Sequence, residues 1–126
     1  MTRTSPGQQA GFTPGNGPAE PLRVDVQYGP EQGRCTLRAV GEIDLATSGL
    51  LRDRVMNQLE QTPRLLVLDL CAVGFLGSSG LAVLVEVRTE AQRRDVGLRL
   101  VANSRAVLRA LTATGLIDLF DVDTAG

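Results

Sequence analysis

The chain begins without an apolar rhythm and then acquires one. Residues 1–20 are rich in Gly, Pro, Gln, Ser and Thr, with Phe12 the only aromatic among them, a composition that predicts a disordered leader. From Leu22 the period is two. Leu22, Val24, Val26 and Tyr28 alternate with Arg23, Asp25 and Gln27, the signature of a half-buried strand. Gly29, Pro30 and Gly33 supply a turn, and Cys35, Leu37 and Ala39 then alternate with Thr36, Arg38 and Val40. The two runs predict a β-hairpin with one apolar face.

After Gly41-Glu42-Ile43-Asp44 the period becomes helical. Thr47 or Ser48 can cap, Leu51, Val55 and Leu59 share a face, and Pro63 marks the end. Residues 65–70 are nearly all apolar, as in a central parallel strand covered on both faces. An irregular or short extended piece, 71–77, leads into a helix opened by Ser78-Ser79-Gly80 and running to about Arg94. A short strand at 98–101 follows Gly97. Asn103 or Ser104 caps a third helix that buries Val107, Leu108 and Leu111 and ends at Gly115. Residues 116–120 complete the pattern as a last short strand. The order β-β-α-β-α-β-α-β predicts an α/β domain over residues 21–126: a mixed β-sheet, an N-terminal hairpin plus parallel strands, with helices mainly on one face.

Charge and composition narrow the function. With 126 residues the chain is one domain, large enough for a single core. The net charge of −1 and the lack of any basic cluster argue against direct binding to nucleic acid. All 13 basic residues are Arg, so a phosphate-gripping lysine, a Schiff-base lysine and a histidine general base are all excluded. No run approaches the ~18 apolar residues of a membrane span, and no secretory signal is legible at the N-terminus, so the cytoplasm is the expected location. Cys35 and Cys71 lie far apart and suggest neither a disulfide framework nor a metal site; two small buried side chains in a reducing compartment are expected. No metal and no cofactor are called for.

The informative segment is Phe75-Leu76-Gly77-Ser78-Ser79-Gly80-Leu81, where a buried strand region hands over to a helix. A serine there can cap free backbone N–H groups, with Gly80 allowing close packing. A hydrolase elbow is excluded, because Leu81 stands where Gly-x-Ser-x-Gly needs its second glycine and no histidine can activate a serine. Gly74, Gly77 and Gly80 match the dinucleotide fingerprint weakly, which leaves a nucleotide-binding module as a minor alternative. No catalytic constellation remains.

Three features in this order carry a resemblance: Gly41-Glu42-Ile43-Asp44 after the hairpin, the apolar strand ending Leu68-Asp69-Leu70, and the segment from Phe75 to Leu81. Together they resemble a STAS domain, the family of bacterial anti-sigma factor antagonists. The resemblance implies a STAS-like fold and, as partner, a histidine-kinase-like anti-sigma factor with serine kinase activity. It implies that binding this partner frees a sigma factor. In the family an Asp-Ser-Ser-Gly tetrad opens the helix and its second serine is phosphorylated. By position the acceptor is Ser79, with Ser78 beside it as the alternative. Asp44 matches the family's acidic residue near the acceptor, and Thr47, Leu76, Gly77, Ser78, Ser79, Gly80 and Leu81 complete the expected partner-binding set. The chain departs from the tetrad at Gly77, where the family has Asp, and this motivates a second reading as a non-phosphorylated scaffold or sensor-complex subunit. The family commonly closes with another helix, for which residues 121–126 leave little room; an apolar edge there would suit a partner or a weak homodimer.

Overall fold

A computed structural model describes residues 22–125; the expected leader lies outside them. The alternating run forms β1 (Leu22–Tyr28), which pairs antiparallel with β2 (Arg34–Ile43) in the register Val24↔Ala39 and Val26↔Leu37. β2 runs three residues past Val40, because Gly41, Glu42 and Ile43 continue to pair with β3 (Leu65–Leu76). The sheet order is β1-β2-β3-β4-β5, and β2 through β5 are parallel. Between the parallel strands run α1 (Ser48–Leu59), α2 (Ser78–Arg93) and α3 (Arg105–Ala113); β4 is Gly97–Val101 and β5 is Asp121–Asp123.

One face of the sheet is apolar and carries the core. Leu37 and Ala39 of β2, Leu66, Leu68 and Leu70 of β3 and Leu100 of β4 join Leu51, Val55 and Leu59 of α1 and Leu84 and Val87 of α2 in one cluster. α1 and α2 lie side by side there, tied at the surface by Arg52 and Glu86 at 2.7 Å. α3 packs along β3 and contributes Val107 and Leu111 to the same core. Its N-terminus is capped as expected: Ser104 Oγ accepts the Val107 N–H at 3.3 Å, and its own hydroxyl donates to the Val73 carbonyl at 3.1 Å.

Three expectations need correction. β3 is not covered alike on its two faces. Val67 is buried but stands outside the apolar cluster, beside Thr36 and Arg99, its register neighbours on β2 and β4. The segment 71–76, expected as an irregular or short extended piece, is extended but not separate: it continues β3 through two register shifts against β2. Residues 116–119 form a short 3-10 helix, and the last strand comes after it. Leu116, Ile117 and Phe120 follow a helical spacing and pack together on the core, while only Val122, flanked by Asp121 and Asp123, has the alternation an edge strand needs. Arg99 on β4 holds that edge through Asp121 at 3.0 Å.

Leu68, fully buried at the centre of the sheet, is the clearest probe of this core. Leu68→Ala is expected to lower unfolding free energy by about 2–5 kcal/mol, read from urea denaturation with an unchanged slope.

Candidate functional site

The ends of β2 and β3 meet at one end of the sheet, and each hands over to a helix there. Ile43 and Leu76, the last residues of the two strands, are register neighbours. The Gly77 N–H then donates to the Ile43 carbonyl at 2.9 Å, so the start of α2 is tied to the end of β2. The loop 44–47 and the helix start 77–81 therefore sit side by side.

The loop is fixed from within. Asp44 Oδ1 accepts the backbone N–H groups of Ala46 at 3.0 Å and Thr47 at 3.1 Å. Thr47 accepts the Asp44 N–H on its hydroxyl at 2.9 Å and donates to the Glu42 carbonyl at 2.8 Å. Thr47 precedes α1, yet makes no side-chain cap bond, because its hydroxyl is committed to β2. It is 3% exposed, so its part in the site is to hold the loop. At the loop's tip Leu45 projects outward, 86% exposed.

α2 begins without a side-chain cap. The N-cap is Gly77, with extended backbone at φ −89°, and no acidic residue stands in the first turn. The serine cap expected from the sequence is not made: neither Ser78 nor Ser79 caps the helix. Among the described residues, the hydroxyls of Ser78 and Ser79 make no hydrogen bond. Ser78 is exposed and Ser79 half-buried. Unpaired N–H groups and the helix dipole leave partial positive charge at this end, a setting that accepts an anion. Gly80 is buried for a different reason. A Cβ on it would stand 2.5 Å from Ile43 Cγ2 and 2.6 Å from Leu76 Cδ1, so the helix reaches this depth only with glycine here. At Gly77 a Cβ would meet the Phe75 ring edge at 3.0 Å. That ring is 48% exposed and can turn aside.

The expected site residues thus divide into two groups. Thr47, Leu76 and Gly80 are buried framework, while Ser78 faces out and Asp44, Gly77, Ser79 and Leu81 are half-buried around it. Leu45 and Phe75 were missed as surface residues. Leu45 lies outside the period of either neighbouring element, and the outward position of Phe75 is masked in the sequence by the two register shifts that precede it in β3.

The cysteines stand apart from this site. Both are free; burial pushes the Cys35 thiol up, and burial followed by the neighbouring Asp69 does the same to Cys71, so both stay protonated near neutral pH. Among the described residues no group of three or more His, Cys, Asp or Glu side chains is placed to hold a metal, and no helix is long and apolar enough to cross a membrane.

A STAS domain family model matches residues 24–125, and the chain belongs to that family. Anti-sigma-F factor antagonist RsfA of Mycobacterium tuberculosis is 33% identical over 103 residues, spanning 80% of this chain and 79% of that protein. The crystal structure of an anti-sigma factor antagonist from Mycobacterium paratuberculosis superposes with a TM-score of 0.76 at 30% identity, over 82% of this chain and 86% of that one. The anti-sigma factor antagonist SpoIIAA in its unphosphorylated form shares the fold, with a TM-score of 0.67 at 16% identity over 81% of this chain and 89% of that one.

Two glycine substitutions separate close packing from capping. Gly80→Ala is expected to destabilise by about 1–3 kcal/mol through overpacking. Gly77→Asp is expected to leave stability unchanged or raise it by a few tenths of a kcal/mol, since Asp is a slightly better N-cap than Gly. Urea midpoints of the two variants against the parent chain decide both.

Proposed function

We propose that this chain is an anti-sigma factor antagonist: unmodified, it captures an anti-sigma factor and so frees a sigma factor. The reading is carried by a rigidly held end of the sheet that presents uncharged hydroxyls and exposed apolar side chains, in a chain related to named antagonists. It needs no catalytic group of its own, and it is a binding protein of the cytoplasm. The partner is a histidine-kinase-like anti-sigma factor with serine kinase activity, and Ser79 is the residue it modifies.

Charge explains how such a switch works. A phosphate on Ser79 adds about −1.5 to −2 charges at a helix N-terminus, where free N–H groups tolerate it, so the fold survives in both states. Against a bound partner the same group loses water, and an unpaired buried charge costs about 3–5 kcal/mol. At ~1.4 kcal/mol per tenfold, that is about two to four decades of affinity. Leu45 and Phe75 supply the apolar area that holds the unmodified complex together. Ser78, Gly77 and Leu81 complete the contact surface, and Asp44 and Thr47 shape it.

Gly77 supports a second reading, in which the chain binds its partner without ever being phosphorylated. No carboxylate stands in the first turn of α2 to help place the Ser79 hydroxyl for transfer.

Ser79→Asp is expected to weaken capture of the cognate anti-sigma factor about a hundredfold or more, while Ser79→Ala preserves it; equal affinities by calorimetry would refute the charge mechanism. Incubation with that partner and ATP, followed by intact-mass measurement, separates the two readings. A rapid gain of one phosphate, lost in Ser79→Ala, supports the switch, and no gain supports the second.

A further inference from the structure

The hairpin end of the sheet, away from the serines, holds a cleft of about 510 Å³. Arg34 and Leu65, the first residues of β2 and β3, mark that end, whereas Ser78 follows the last residue of β3. At about 3.3 Å per residue the length of β3 keeps the two places roughly 35 Å apart. The cleft is therefore a separate feature of the molecule, and its volume is in the range of small-ligand pockets.

Its walls have a definite chemistry. Tyr28 is the only tyrosine of the chain, and it is 67% exposed. It is nevertheless held in place, because its hydroxyl donates to Gln58 Oε1 on α1 at 2.9 Å. The Cys35 thiol points to the same oxygen at 3.5 Å. With its oxygen engaged twice, the Gln58 carboxamide has its orientation set, and its NH2 group has no partner among the described residues. Pro30 and Pro63 add flat apolar surface. The two charged groups of the lining, Glu31 and Arg34, pair through Arg34 Nη1 at 3.2 Å and leave the lining without net charge, while the buried Arg34 Nε has no partner among the described residues. The cleft thus offers an oriented aromatic face, proline rings and an unspent amide donor, with no net charge to attract an ion.

We propose that this cleft binds a small, uncharged, planar ring compound that carries a hydrogen-bond acceptor, such as a heteroaromatic amide. The ring stacks on Tyr28, and the acceptor takes the Gln58 side-chain N–H. Stacking on a preset aromatic face needs a flat partner, and desolvating a charged ligand here would go uncompensated.

The test uses the full chain, labelled with nitrogen-15, and nicotinamide as probe. Nicotinamide is expected to give saturable shifts at Tyr28, Gly33, Cys35 and the Gln58 side-chain amide, with a Kd on the order of millimolar for so small a ligand. Cyclohexanecarboxamide, which keeps the amide but is not flat, and nicotinate, which is flat but charged, are each expected to bind at least about tenfold more weakly. Tyr28→Leu and Gln58→Met are each expected to weaken nicotinamide by about tenfold while leaving the rest of the spectrum in place. The proposal is overturned if nicotinamide gives no saturable shifts, if the non-planar or charged compound binds equally well, or if Tyr28→Leu binds as the parent does. It is equally overturned if the same residues shift with protein concentration alone, because a second copy of the chain is then the occupant.

Discussion

The approach of the α2 backbone to Ile43 and Leu76 at Gly80 is the contact on which the rest of the site depends. With the Gly77 N–H bonded to the Ile43 carbonyl, it seats the helix start against the end of β2 at a depth no side chain would allow. The same strand end is where the loop 44–47 begins, and that loop closes on itself through Asp44 and Thr47. Loop and helix start are therefore one rigid piece. In the proposed switch, a group added to Ser79 would meet a fixed arrangement of N–H dipoles, and its effect would fall on the docked partner rather than on the fold.

Within this end of the molecule, polar groups are sorted by what they already touch. Asp44 and Thr47 spend their hydrogen bonds inward, on backbone. The hydroxyls of Ser78 and Ser79 spend none among the described residues, and Leu45 and Phe75 present apolar surface beside them. A surface built this way favours a protein partner, which can bury the apolar groups and satisfy the hydroxyls together. The chain has no histidine or lysine to serve as a base beside these serines.

Much of this was legible before any coordinates. The hairpin, the helical faces of α1 and α2 and the glycine at the end of α3 follow from periodicity, since each buries one face. The segment Gly77 to Leu81 stood out because hydroxyls and glycines gather at a strand-to-helix junction. Less legible was which of its residues does what. A serine reads as a cap from sequence, yet Gly77 occupies the cap, and Thr47 looks like a contact residue but is locked inside. Phe75 and the strand character of 71–76 were hidden because register shifts break the two-residue period on which strand recognition relies. The last strand is displaced from its sequence-based position for a similar reason: Leu116, Ile117 and Phe120 are apolar enough for a strand but spaced for a helix.

Those register shifts have a consequence for how the segment can vary. Against β2, β3 carries one extra residue between Asp69 and Ala72 and another between Val73 and Phe75. The first extra residue exchanges inward and outward positions, and the second restores them, which is why Leu76 points into the core and Phe75 away from it. Substitutions along 71–74 leave that parity alone. Loss of one residue from either shift would remove that irregularity and leave Leu76 opposite Ile43, facing the core with it, so the helix that follows keeps its seat. The stretch therefore has slack in its length, while its composition is bound at Val73, which is buried in the core.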